Sequence, residues 1–171
     1  MAGLKTRDPE AAAMPKSKPK AQPQKAAESN AQIGAICWRM HRAKVEVLLI
    51  TSRDTGRWVI PKGWPMAGLS DAEAASIEAW EEAGVRGDIN PESIGQFGYD
   101  KVLSPTATKP CTVTVFGLRV AALHTDFPER KQRRRKWFAV EKAARKVAEP
   151  ELRQLLKAIA KQLLPLALAS D

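Results

Sequence analysis

Glu78, Glu81 and Glu82 stand within a run, Ala72 to Ala83, that contains neither Gly nor Pro. On a helix turning about 100° per residue, Glu78 and Glu82 lie about 40° apart and Glu81 about 60° to the other side of Glu78, so three carboxylates share an arc of about 100°. So close together they repel unless something positive joins them. Hard divalent cations take oxygen ligands, and Mg²⁺ usually keeps several waters, so clustered carboxylates beside a phosphate-bearing ligand suit such an ion. The bland alternative is a solvated acidic face, and the helix alone does not separate the two. Ala72, Ala79, Trp80 and Ala83 occupy the opposite side, which predicts packing through small residues with the acids turned outward.

The elements that must hold these acids are bounded by clear signals. Ser70 can cap the first turn, Glu73 stands three residues on as in a capping box, and Gly84 supplies the stop. Upstream, Arg57 to Ile60 reads as a short strand ended by Pro61. Lys62 to Leu69, with two Gly and one Pro, reads as a loop leading into the acid helix. Ile33 to Trp38 and Val45 to Thr51 predict a strand pair joined by the basic turn Met40 to Lys44. Further strands are expected at Ile94 to Val102, Cys111 to Ala122 and Lys136 to Val140. After Glu141 the pattern turns helical, and beyond Pro150 the residues Leu152, Leu155, Leu156, Ile159 and Leu163 recur at amphipathic spacing. No internal repeat is visible.

The chain has 171 residues and 44% apolar content, enough for one domain with a real core. Its 28 Lys and Arg exceed 19 Asp and Glu for a formal charge of +9, which favours phosphate-rich partners such as nucleotides, inositol phosphates or nucleic acid. Residues 1–30 hold six Lys/Arg against three acids, four prolines, no aromatic residue and one Leu. Too little apolar surface is present there to offset ordering entropy. They are expected to be a disordered basic tail, solvated or serving as a nucleic-acid arm, ahead of a domain over 31–165. Two cysteines, Cys37 and Cys111, each in an apolar run, argue against a disulfide framework and for a reducing, cytoplasmic setting. No leader pattern is present, and Lys157, Lys161 and Pro165 break the apolar C-terminal stretch, so no membrane partner is expected. No protein partner is indicated.

The run Gly63 to Val85 resembles the Nudix box, a Gly, five residues, Glu, seven residues, then Arg-Glu-apolar-any-Glu-Glu-any-Gly-apolar. Gly63, Glu78, Ala79, Glu81, Glu82, Gly84 and Val85 match it. Two positions depart: Leu69 stands where the family has Glu, and Ile77 where it has Arg. In the family those two side chains pair and brace the loop, so losing both leaves no orphaned charge, and an apolar contact between Leu69 and Ile77 is expected in place of the pair. Val47 to Arg53, Arg57 to Pro61, and Lys136-Trp137-Phe138 with Glu141-Lys142-Ala143 resemble the diphosphoinositol polyphosphate phosphohydrolases and dinucleoside polyphosphate hydrolases. With the box, this likeness covers residues 31–145.

The resemblance implies an α/β fold, a Nudix-type α/β/α sandwich with a mixed β-sheet and a catalytic loop-helix-loop. It implies a metal-dependent pyrophosphohydrolase that cleaves a phosphoanhydride bond in a dinucleoside polyphosphate or diphosphoinositol polyphosphate. Glu78, Glu81 and Glu82, with the backbone carbonyl of Lys62, would hold Mg²⁺, or Mn²⁺ in its stead, and Glu81 would be the base for the attacking water. Substrate contacts are expected from Thr51, Ser52, Arg53, Gly63, Lys109 and the run Arg130 to Lys136, six of whose seven residues are basic and within which Arg135 is singled out. The bland reading of that run is a solvated edge. His41 and His124 lack metal-ligand spacing and read as surface residues. Trp58, Trp80 and Trp137 read as core, and Trp64 as core or ligand contact. Removal of pyrophosphate from RNA 5′ ends uses the same box, and a nonhydrolytic nucleotide- or RNA-binding module that lost turnover with Leu69 and Ile77 is the alternative from another class.

Overall fold

The computed structural model describes residues 30–169, with side chains described as far as Pro165; the basic segment up to residue 29 lies outside the described residues. Strands β1 (Ala31–His41) and β2 (Lys44–Thr51) pair antiparallel, Cys37 opposite Leu48 and His41 opposite Lys44. The residues that turn between them, Arg42 and Ala43, have φ of 50° and 60°. This left-handed pair matches the twist of a two-residue hairpin, although Asn-Gly is the sequence that usually supplies it.

Beyond the hairpin the two strands part, and the segment between Trp58 and Gly63 is wedged into the opening. β3 (Trp58–Val59) pairs with Ile50 and Thr51 of β2, while β4 (Lys62–Gly63) pairs with Ile33 and Gly34 of β1. Where composition places a loop from Lys62 onward, the chain therefore keeps one more strand contact. Pro61 has no N–H to give, but its carbonyl accepts from the Ala35 N–H at 3.0 Å and carries the pairing past the proline.

The other edge of β1 pairs in parallel with β6 (Ala107–Leu123), from Ala31 opposite Thr112 to Trp38 opposite Arg119. β5 (Val85–Ser104) runs antiparallel to β6, and β7 (Arg135–Ala139) lies antiparallel on the far edge of β2. β5 starts directly after Gly84 rather than near Ile94. Its ladder shifts register between Arg86 and Gly87, between Ile89 and Ser93, and between Ser93 and Gly95, so Pro91 is accommodated in an irregular stretch.

Alternation along β1 and β2 sends side chains to two faces of this mixed sheet. Ile33, Ala35, Cys37, Leu48 and Ile50 meet the alanines of α1 (Asp71–Ala83). Ile36, Trp38, Val45, Val47 and Leu49 meet α2 (Val140–Lys146) and α3 (Pro150–Ala169), the latter through Leu152, Leu156 and Ile159. The result is the α/β/α sandwich with a mixed sheet that the sequence leads one to expect. α3 continues through Pro165 to Ala169, beyond the end that the proline suggests. Among the described residues no helix is long and apolar enough to cross a membrane.

Candidate active site

α1 is fixed at both ends. Ser70, extended at φ −68° and ψ 160°, accepts from the Glu73 N–H through its hydroxyl at 3.1 Å. Gly84 takes φ 69° and ψ 26°, and its N–H returns to the carbonyls of Ala79 and Trp80. These caps set the rotation of the helix and therefore where its acids go.

The acids do not form an outward, solvated face. Glu78, Glu81 and Glu82 are 1%, 7% and 6% exposed. The reason is the wedge described above, because β4 passes directly over this side of α1. At Gly63 a Cβ atom would overlap the Glu78 carboxyl group, so a side chain there would displace that carboxyl from its present place. One residue earlier, the Lys62 N–H donates to Glu82 Oε2 at 3.2 Å.

Glu82 is held from the opposite side by Arg133, whose Nη2 donates to Oε1 at 3.0 Å. The same guanidinium donates through Nε to Glu129 Oε1 and through Nη1 to the Thr51 carbonyl, each at 3.1 Å, and its side chain is only 9% exposed. Burial nevertheless dominates at Glu82 and pushes its carboxyl up to about 8, against the pull of Arg133 and Lys62 and with a further push from Glu78. Burial likewise lowers Lys62, opposed by the charges of Glu82 and Glu149. The Lys62 ammonium sits 4.7 Å from the centre of the Tyr99 ring.

Glu149 is a cleft acid that sequence reasoning misses. Its carbonyl receives the first amide of α3, from Arg153 at 3.1 Å, while its side chain lines the same cleft as Glu78 and Glu82. It is 9% exposed, and Oε2 is buried with no hydrogen-bond partner among the described residues. In sequence a lone Glu before Pro150 reads as an ordinary acid at a helix start.

Among the described residues no group of three or more His, Cys, Asp or Glu forms a ready-made metal cage. Mg²⁺ asks for less, since one or two carboxylates with substrate phosphates and waters satisfy it. Glu78 and Glu82, four residues apart on α1, supply two carboxylates to the cleft, a donor set of the right chemistry. A divalent cation there would offset the cost of burying several like charges.

The remaining candidates separate. Ser52, Arg53, Lys62 and Gly63 line the cleft. Arg53 is half exposed and donates to Gln132 Oε1 at 2.9 Å, with Glu129 3.6 Å away. Thr51 is tied instead to the basic segment: its hydroxyl accepts from the Arg134 N–H at 2.9 Å. Glu81 is buried beside its neighbours but is not part of the cleft wall, and its carbonyl accepts from the Glu129 N–H at 3.0 Å. Arg135 is not among the residues that line the cleft: Nη1 donates to the Ala83 carbonyl at 2.6 Å, and the guanidinium lies 4.7 Å from the Phe127 ring centre. It closes the C-terminal end of α1, so from the basic run it is Arg133 that enters the cleft. Lys109 stands on the β5–β6 hairpin, 5.5 Å from the centre of the Trp64 ring. His41 and His124 are both exposed, and His124 packs edge-on to Trp80. Cys37 is buried, with its thiol pushed up to about 12 by burial first and by Glu82 second. Ile77 is 5% exposed in the apolar cluster beneath α1, and Leu69 packs against that cluster.

The family profile described as NUDIX domain matches residues 30–159. Nudix hydrolase 12, mitochondrial, of Arabidopsis thaliana is 36% identical over 103 residues, 58% of this chain and 51% of that protein. Diphosphoinositol polyphosphate phosphohydrolase 3-alpha of Mus musculus is 30% identical over 110 residues, 63% of each chain. The chain thus spans between half and two thirds of the length of these curated relatives. Among solved structures, the C. elegans Ap4A hydrolase superposes with a TM-score of 0.58 at 20% identity, over 79% of this chain and 98% of that one, a likeness of fold.

Proposed function

The chain belongs to the NUDIX domain family, and from that premise we propose that it is a metal-dependent pyrophosphohydrolase acting on a highly phosphorylated small molecule. The observation that carries this reading is the burial of Glu78, Glu82 and Glu149 in one cleft that also holds Arg53, Arg57, Lys62, Lys101 and Arg133. Carboxylates are left buried at close quarters where a cation and a phosphate chain would both be welcome. A dinucleoside polyphosphate or a diphosphoinositol polyphosphate is the proposed substrate class, in keeping with the names of the mouse and C. elegans relatives.

Glu78 and Glu82 would hold the cation, with the Lys62 carbonyl as a further oxygen. A bound Mg²⁺ would polarise the phosphoryl oxygens and acidify a water. The chain's own part is positioning, which dominates phosphoryl transfer. Arg133 fixes Glu82 and Glu129, Gly63 lets the loop close onto Glu78, and the Lys62 ammonium offers charge to the phosphate. Glu81 is proposed as the base on the family pattern, and Glu149, which lines the cleft, is the rival for that role. The retained acids weigh against a nonhydrolytic module despite Leu69 and Ile77.

The test is phosphate release with Mg²⁺ over diadenosine polyphosphates, diphosphoinositol phosphates and ADP-ribose. Turnover should vanish in excess chelator, and Glu82→Gln should lower it about a hundredfold or more with the fold retained. Glu81→Gln and Glu149→Gln then separate the two base assignments, since the base variant loses kcat while cation affinity is kept. Undiminished turnover in chelator would remove the metal-dependent reading.

A further inference from the structure

Lys101 and Lys109 are direct partners across the antiparallel β5–β6 ladder. Like charges placed opposite one another in a sheet cost stability, and a chain free to vary would be expected to separate them. Here both ammonium groups are brought to the same indole, Lys101 at 5.4 Å and Lys109 at 5.5 Å from the centre of the Trp64 ring. Trp64 is half-buried and follows Gly63, the residue pressed against Glu78, so this pair of charges stands one residue's reach from the carboxylate site. Trp64 and Lys101 line the same cleft as Glu78 and Glu82. Lys62 lies over the Tyr99 ring, which lines the cleft too, and the charge of Lys101 is felt at Lys62. Three lysines on two aromatic rings therefore gather at the cleft and the hairpin beside it.

We propose that Trp64, Lys101 and Lys109 form a second anion subsite that takes phosphoryl groups beyond the scissile pyrophosphate, so that the cleft selects substrates by the length of their phosphate chain. The inference rests on the phosphoanhydride reading above and adds to it which end of the substrate is measured. A phosphate placed between Lys101 and Lys109 would be attracted by both charges, and the indole face keeps both side chains in place before the anion arrives. A chain of two phosphates fills the carboxylate and Lys62 end; further groups reach the hairpin.

The test is equilibrium binding of inorganic pyrophosphate, tripolyphosphate and tetrapolyphosphate by titration calorimetry, with Ca²⁺ as the cation. The wild-type chain should bind tetrapolyphosphate at least about tenfold more tightly than pyrophosphate, the size expected for charge-assisted contacts. The double variant Lys101→Gln/Lys109→Gln should shrink that preference to within about twofold and leave pyrophosphate affinity nearly unchanged. Lys101→Arg and Lys109→Arg, which keep the charge, should preserve the preference and guard against a fold defect in the double variant. Equal loss at every chain length, or no loss at any, overturns the proposal. So does a result in which Trp64→Leu weakens only nucleoside-capped chains while the double variant is silent, since the ring would then be a base platform. Failure of every anhydride to turn over with Mg²⁺ would remove the hydrolase reading while leaving the length preference measurable.

Discussion

Glu82 is the residue in which the local forces conflict most openly. Its carboxyl receives a backbone N–H from Lys62 and a guanidinium from Arg133, yet burial still raises it from 4.5 to about 8. A folded-state value above the unfolded one means that folding takes up a proton. The contribution of Glu82 is then fully favourable below about 4.5 and is lost as pH climbs through about 8. In chelator, the melting temperature should fall as pH is raised across that window, and Glu82→Gln, which keeps a polar side chain without the charge, should flatten the decline. Added Mg²⁺ should restore most stability at the alkaline end. Parallel melting curves for both proteins from pH 5 to 9 would show that Glu82 does not titrate in this way.

At the scale of elements, α1 with its cap at Ser70 and stop at Gly84 was legible because capping chemistry is local. Its burial was not: the acids look outward on a helical wheel, and the wedge of β3 and β4 together with the segment carrying Glu129 and Arg133 covers them. Pro61 hid that wedge, since a proline ordinarily ends a strand and here passes the pairing on through its carbonyl. The same limit applies to Arg133 and Glu149. A run of adjacent basic residues carries no mark of which one faces inward, and an acid at a helix start has a sufficient local explanation. The changed box positions were legible as a pair: Ile77 lies in the apolar cluster beneath α1 and Leu69 packs against it. Ile77→Arg should therefore cost roughly 1–3 kcal/mol by placing a cation in that cluster, and adding Leu69→Glu should recover part of the loss. A double-mutant cycle on denaturant stability measures the coupling; strict additivity would mean that the two positions do not interact.

Taken as a whole, the molecule places the strand nearest its N-terminus at the centre of the sheet, and that arrangement also dictates an order in time. β1 borders β2 within a few residues, but its parallel neighbour β6 lies about 80 residues further along, with Ala31 opposite Thr112. Closing so long a stretch of chain is entropically slow, whereas the β5–β6 ribbon can zip outward from its own tip. During refolding, pulsed hydrogen exchange should find amides of Phe97 and Val113 protected before those that join β1 to β6, and simultaneous protection of all of them would contradict this sequence of events. On the ribosome the constraint is stricter. The acidic helix is synthesised well before the segment that brings Arg133 to it, so Glu78, Glu81 and Glu82 must wait unburied, at the charge they carry in water, until the second half of the domain has emerged.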